Sequence, residues 1–334
     1  MTRIGVMSVA HVHAGSYLEI LGKRSDVELM VVDPDRVDSA AELARKVGAD
    51  AAASWDRLFA WKPDAVLITS ENVHHRRLVE LAAAHGAHVL CEKPIATTRA
   101  DALAIIHSCR QAQVGLMIAF PIGFSPEAVA MRALVESGDL GRVIAAIGTN
   151  NGQLPTAEPW FAIPELSGGG ALVDHVVHLA ELIDAALGAS AATVFAQVNR
   201  IMHAERTEAG VETGALVTIR YHDGLLASID ASWSQPDHAP TWGGLTLELV
   251  GTSGNVLIDP FASALRGFSA ATRRPLHLPY GTEPDALMLD AFLAAVHGER
   301  AFAPDGYVGL RTLDIVLAAQ ESARTGQSVS VVSG

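Results

Sequence analysis

Ile4-Gly5-Val6-Met7-Ser8-Val9-Ala10-His11-Val12-His13, followed by Val27-Glu28-Leu29-Met30-Val31-Val32-Asp33, decides how this 334-residue chain folds. Residues 4–8 form a short apolar run that reads as a buried strand, and 16–22 have helical spacing. Residues 27–33 are a second strand, ended by Asp33 and Pro34. The rhythm then repeats. Helices are expected at 39–47, 56–59, 76–85 and 99–113, strands at 65–69, 89–91 and 116–120, with Gly48 and Gly86 as stops. Short strands alternating with helices imply right-handed crossovers and a mostly parallel sheet. Such a sheet places its binding crevice at the carboxyl ends of its strands.

Near residue 120 the pattern changes. A helix at 126–137 leads through Gly138 and Gly141 to a strand at 143–149, and a helix at 171–187 follows a Pro/Gly-rich stretch. Long alternating runs at 192–203, 214–221, 225–234, 245–251 and 255–258 read as antiparallel strands. Helices at 285–297 and 306–325 close the chain. The expected domains are 1–122, of dinucleotide-binding type, and 123–334, an α+β domain for substrate binding and oligomerisation whose final segment can pack back on the first.

Composition narrows the function. Forty-nine per cent apolar residues with 18 per cent charged residues is ordinary globular usage. A formal charge of −13 argues against a nucleic-acid backbone or an anionic membrane as partner. No apolar run reaches the length of a bilayer span, and Met1-Thr2-Arg3 leads straight into a strand. Cys91 and Cys109 alone make no disulfide framework, so a cytoplasmic protein is expected.

Several residues carry chemistry. Cys91-Glu92-Lys93-Pro94 ends a strand, and Lys93 is one of only four lysines, with Lys23, Lys46 and Lys62. An ammonium at a strand mouth can act on a bound hydroxyl or carbonyl, and Pro94 biases Lys93 away from helix. The turn after the first strand has Ser8, Ala10 and His13 where a dinucleotide fingerprint has glycines, so the match fails while the strand–turn–helix frame survives. Asp33 sits where a carboxylate can accept from an adenosine ribose, which favours NAD; its alternative is a turn Asp before Pro34. Arg36 keeps NADP open. Gly168-Gly169-Gly170 precedes a helix carrying Asp174, His175 and His178; Asp174 and His178, four apart, share one face. Histidine suits proton transfer, and a nearby carboxylate can orient it or hold a substrate hydroxyl. His11, His13, His74, His75, His175 and His178 fall on segments expected to face one crevice. No Cys cluster or HExxH pattern accompanies them, so no metal is expected. Trp160 can line the pocket or serve as a core residue, and Gln235, His238 and Trp242 are further pocket candidates.

Taken together, the chain resembles the Gfo/Idh/MocA family of NAD(P)-dependent oxidoreductases from Arg3 to about Val332. Glu92-Lys93-Pro94-Ile95-Ala96 matches the hallmark after that family's fourth strand. Ser70-Glu71-Asn72-Val73-His74-His75 is similar to its Thr-Pro-Asn-x-x-His, with Glu71 replacing Pro. Phe124-Ser125-Pro126 resembles its domain-linking segment, and residues 168–178 its Gly-Gly-Gly…Asp-x-x-x-His motif. Three positions depart: the turn at Ser8, Ala10 and His13; Pro121-Ile122-Gly123, where many relatives carry Asn and Arg; and His175, where an apolar residue is usual.

The resemblance implies a Rossmann-type α/β domain followed by an α+β domain with an open, mostly antiparallel sheet. It implies an NAD(P)-dependent dehydrogenase or reductase acting on a sugar, cyclitol or related polyol. Lys93 would contact nicotinamide and substrate and stabilise the alkoxide, His178 would be the acid/base, and Asp174 would bind a substrate hydroxyl. Ser8, Ala10, His11, His13, Asp33, Ser70, Asn72, His75, Glu92 and Lys93 would form the cofactor site. Lys93, Trp160, Asp174, His175 and His178 would form the substrate site. A homodimer or homotetramer is implied, paired through the open face of the second sheet. Two alternatives on the same fold are an NAD-dependent glycosidase and, suggested by the eroded turn, a cofactor-weak sugar sensor.

Overall fold

The computed structural model describes residues 1–204, 210–239, 241–269, 274–279, 281 and 283–332. Two compact units result, each assembled from separate stretches. The first contains Met1–Phe120, Pro155–Gly170 and Asp285–Asp314; the second contains Pro121–Leu154, Ala171–Pro284 and Ile315–Gly334.

In the first unit the expected alternation is present. It runs β1 (Thr2–Met7), α1 (His13–Gly22), β2 (Val27–Val32), α2 (Val37–Val47), β3 (Asp50–Ala52), α3 (Trp55–Ala60), β4 (Ala65–Ile68), α4 (His75–Ala84), β5 (His88–Cys91), α5 (Arg99–Gln111) and β6 (Leu116–Ile118). All six strands are parallel, in the order β3-β2-β1-β4-β5-β6. The strand order therefore reverses between β1 and β4. At that switch point the loops after β1, β4 and β5 emerge on the same carboxyl edge. Residues 8–13, 70–75 and 92–94 are those loops. The strands flanking the switch are buried on both faces, which is why they read as continuous apolar runs.

The division at 122/123 expected from sequence differs from the observed one, because two later segments belong with the first unit. Packing explains both. The Trp160 indole N–H donates to the Ala10 carbonyl at 2.9 Å. In the other segment the Phe302 ring occupies the space a side chain at Gly115 would need, its Cε2 lying 2.1 Å from the Cβ position. Arg99 also pairs with Asp314 at 3.0 Å.

The second unit contains α6 (Pro126–Glu136) and β7 (Val143–Gly152). After the short helix α7 (Pro164–Ser167) of the first unit comes α8 (Ala171–Leu187). Strands β8 (Ala191–Asn199), β9 (Gly214–Tyr221), β10 (Leu226–Ser232), β11 (Gly243–Gly251) and β12 (Asn255–Ile258) follow. A hairpin of β13 (Ala264–Ser269) with β14 (Arg274–Pro279) and the helices α9 (Pro284–Val296) and α10 (Gly306–Thr325) lead to β15 (Val329–Ser330). The large sheet has the order β12-β11-β7-β10-β9-β8-β15. Its pairs are antiparallel except β7 with β10. Strand alternation gives it two unlike faces. On β9, Ala215, Val217, Ile219 and Tyr221 are buried while Leu216, Thr218 and Arg220 face out. The buried face receives α8, and Gly148 permits the approach: a Cβ there would lie 2.7 Å from Leu179 Cδ2.

The core of this unit contains one costly group. Glu181 on α8 is buried beside Gly123, whose carbonyl accepts from Arg132 Nη1 at 2.8 Å. Burial pushes its carboxyl up to about 8, with Arg132 opposing and Asp184 reinforcing. A carboxyl raised in the folded state adds no penalty at low pH. Its stability is lost as pH climbs from the ordinary carboxylate range toward that raised value. Glu181→Gln is therefore expected to match the parent near pH 4 and to exceed it by on the order of 3 kcal/mol at pH 8. Chemical denaturation at the two pH values measures this, and equal stabilities at pH 8 would refute it.

Candidate active site

At the carboxyl edge of the first sheet, Ser8 follows β1 with φ 75°. This is the left-handed turn a glycine usually makes, and here the side chain anchors it. Ser8 Oγ donates to Asp33 Oδ2 at 2.9 Å, and the Val9 amide donates to the same oxygen at 2.9 Å. Asp33 Oδ1 accepts the amides of Asp35 at 3.0 Å and Arg36 at 3.1 Å. An ionised carboxylate offers about four lone-pair directions. Asp33 has filled them with the turn it organises, so a ribose hydroxyl would have to displace one of these donors.

The amides at the start of α1 are likewise engaged. His13 N–H donates to the His11 ring Nδ1 at 3.2 Å, Ala14 N–H to the His11 carbonyl at 3.0 Å, and His11 N–H to the Thr69 carbonyl at 3.0 Å. Trp160 and Phe161, stacked at 4.0 Å, cover the His11 ring. Trp160 is thus a buried lid on the turn. Against a dinucleotide, the frame fits, with a left-handed residue 8 between strand and helix. The amides that would meet its phosphates do not fit as folded, because the His11 ring holds the one at His13.

Below the turn lies Glu92, fully buried after β5. Its Oε1 accepts from Tyr17 Oη at 2.7 Å and His13 Nδ1 at 2.9 Å, and its Oε2 accepts the Lys93 amide at 3.2 Å. Burial alone would raise this carboxyl; the imidazoles of His11 and His13 and the Lys93 ammonium outweigh it and hold it well below the usual carboxylate range. For His13, burial pulls downward and Glu92 more than compensates, leaving its pKa raised.

Ligand atoms of His11, His13 and Glu92 lie within 4.8 Å of one another, a spacing that could hold a metal ion. The protons argue otherwise. His11 Nδ1 accepts an amide hydrogen, so the proton of the neutral ring is on Nε2, the atom 3.8 Å from Glu92 Oε2. A metal needs a lone pair there. The cluster is a carboxylate enclosed by N–H and O–H donors.

Lys93 follows, buried, with a cis peptide to Pro94. The Pro94 carbonyl accepts His75 Nδ1–H at 2.9 Å. His75 is inaccessible, and burial lowers its pKa, so it serves as a neutral brace for the Lys93 corner. Asn72 Nδ2 donates to the Ser167 carbonyl at 2.8 Å, and Ser70 Oγ to the Glu71 carbonyl at 3.1 Å. Glu71 pairs with Arg36, whose Nη1 is also 3.6 Å from Asp33.

In the second unit, α8 begins with its first amides donating to Glu212: Ala171 N–H to the carbonyl at 3.0 Å and Leu172 N–H to Oε1 at 3.2 Å. Asp174 and His178, one turn apart, are half-buried on one face, while Leu172, Val173, Val176 and Val177 are buried. Asp174 Oδ2 accepts the Trp233 indole N–H at 3.1 Å and stands 3.1 Å from His175 Nε2. His175 also bonds Asn150 on β7. Sequence reading missed Trp233 and Asn150. Each stands at a strand end and acts only through a cross-strand or sheet–helix contact, which no local pattern announces.

Comparison with known proteins matches both units. Residues 4–120 match the oxidoreductase family with an NAD-binding Rossmann fold, and residues 128–257 match the GFO/IDH/MocA C-terminal domain. The 1,5-anhydro-D-fructose reductase of Ensifer adhaerens is 30% identical over 81% of this chain and 80% of its own. The myo-inositol 2-dehydrogenase of Thermotoga maritima is 26% identical over 77% of this chain and 75% of its own. GenD2 from gentamicin A biosynthesis, solved in complex with NAD, superimposes with a TM-score of 0.90 at 23% identity, over 99% of this chain and 97% of that one. Among the described residues no helix is long and apolar enough to cross a membrane.

Proposed function

The chain belongs to the Gfo/Idh/MocA oxidoreductase family, and from that premise we propose that it moves hydride between nicotinamide and a hydroxyl-bearing carbon of a sugar, cyclitol or related polyol. One observation carries the reading: Lys93 stands on the carboxyl edge of the NAD-binding-type sheet, while Asp174 and His178 share a face of the helix after Gly168–Gly170. These are the side-chain types that oxidation of an alcohol needs.

In the oxidising direction His178 accepts the hydroxyl proton. The Lys93 ammonium stabilises the alkoxide that forms, held at its corner by His75 and by the Glu92 contact to its amide. Asp174 accepts a hydrogen bond from a neighbouring hydroxyl and fixes which carbon reacts. Bound nicotinamide supplies the hydride acceptor. Ser70, Asn72, Glu92 and Lys93 would hold its end of the cofactor. At the phosphates, the His11 ring would have to leave the His13 amide. NAD is favoured over NADP because Asp33 and Glu71 both face Arg36, leaving excess negative charge where a 2′-phosphate would sit.

Calorimetry with NAD and NADP tests the cofactor half. Saturable NAD binding, weaker for NADP, is expected. Turnover is expected with at least one of myo-inositol, levoglucosan, D-xylose or methyl D-glucoside, or with 1,5-anhydro-D-fructose and reduced cofactor. Absence of binding at millimolar NAD and NADP would replace this reading with a sugar sensor, which the filled phosphate turn favours. Copies would pair through the open face of the second sheet, where Ile144, Ile147, Leu216, Leu226 and Leu257 are exposed; a monomeric mass by light scattering would remove that part.

A further inference from the structure

We infer that His11 sets the affinity for the cofactor: its imidazole occupies an amide at the start of α1 that the dinucleotide's phosphates need, and it must turn away before they can seat. Most amides of this turn serve the strand–turn–helix frame itself. Val9 N–H donates to Asp33 Oδ2, Ala10 N–H to Ser8 Oγ at 3.3 Å, His11 N–H to the Thr69 carbonyl and Ala14 N–H to the His11 carbonyl. The His13 amide differs, because its acceptor is a histidine side chain, His11 Nδ1, at 3.2 Å. His13 opens α1, and the amides there are the donors that a helix offers to an anion. A ring can rotate and release that donor without dismantling the turn.

The surroundings hold the ring in that place. Its Nε2 lies 3.8 Å from Oε2 of Glu92. The His13 ring meets it edge-on at 4.6 Å, and the Phe161 and Trp160 rings cover it at 5.3 and 5.9 Å. Trp160 is itself tied to the Ala10 carbonyl, and His11 is only 3% exposed. A buried acceptor at a helix start competes with an incoming anion for the same N–H. The glycine-poor turn is therefore closed rather than lost. The same bond caps α1, as a Ser or Asp would. Removing it has two effects of opposite sign: lower stability and tighter cofactor binding.

This role rests on the proposed nicotinamide reading, and the test separates the two. Calorimetry compares the parent, His11→Ala and His11→Asn with NAD, ADP and adenosine. Asn can bond an amide two residues on, so it keeps the acceptor without the ring. His11→Ala is expected to bind NAD and ADP about 10-fold tighter than the parent, the size of one hydrogen bond no longer broken on binding, with adenosine unchanged. His11→Asn should bind like the parent. A gain in His11→Asn equal to that in His11→Ala would overturn the competition for the amide. NAD binding by the parent with equal or weaker binding by His11→Ala would overturn this role and leave the dehydrogenase standing. Absence of NAD and ADP binding in all three proteins would overturn both. A readout without cofactor is the His13 amide in ¹⁵N-histidine-labelled protein, assigned by its loss in His13→Gln. It should exchange slowly in the parent and in His11→Asn, and faster in His11→Ala. Fast exchange in the parent would overturn the bond, whatever the ligands show.

Discussion

Replacing His178 by alanine is expected to lower turnover by about 10²–10⁴-fold, the range that a positioned acid/base supplies. His178 is half-buried on the same α8 face as Asp174, one turn away, while Val173, Val176 and Val177 are the buried residues beside it. Melting temperature and cofactor affinity should therefore change little, and the loss should appear in kcat. Steady-state rates at saturating cofactor measure it. Parent-like turnover would remove His178 from the proton path.

Glu92→Gln is expected to cost about 3–5 kcal/mol, as does removing one partner from a buried charge cluster. The substitution leaves His13, Tyr17 and the Lys93 amide facing an amide group that satisfies fewer of them. The sign with pH is definite. Glu92 is held low in the folded state, so its contribution is present above the ordinary carboxylate range and fades as pH falls below it. The His13 pKa is raised, so its share is full below the ordinary imidazole value and fades as pH rises through the raised one. The gap between parent and Glu92→Gln should be widest between about pH 4.5 and 6.5 and narrower on both sides. Urea denaturation across that range checks it; equal stabilities at pH 6 would show that the cluster does not hold the first unit together.

Much of this was legible from the chain because it depends on local periodicity. The buried strands at Val27–Val32, Ala65–Ile68 and His88–Cys91 announce themselves as short apolar runs between helices. The short edge strand Asp50–Ala52 gives no such signal, being three residues without a buried position. The strand expected at 143–149 runs on through Asn150-Asn151-Gly152, because Leu245, Gly244 and Gly243 pair with them across the sheet. Candidate residues were legible as types, and their partners were not. Asp33 stands where a ribose-binding acid would, and only the four donors around it show that it organises its own turn. Trp160 could have lined a pocket until its indole was placed on the Ala10 carbonyl. His175 looked like an added imidazole beside His178; its ring Nδ1 bonds the Asn150 carbonyl instead, with Nε2 3.1 Å from Asp174 Oδ2. These roles depend on contacts between residues far apart in sequence.

In the proposed reaction hydride leaves a polyol carbon for nicotinamide while His178 takes the proton. Single-turnover reaction of a C-deuterated polyol with NAD-saturated protein tests it most directly. Deuterium is expected in the reduced nicotinamide with the parent protein, and the transfer rate is expected to fall by about 10²–10⁴-fold with His178→Ala. Unlabelled nicotinamide across the whole polyol panel, with the cofactor bound, would contradict it.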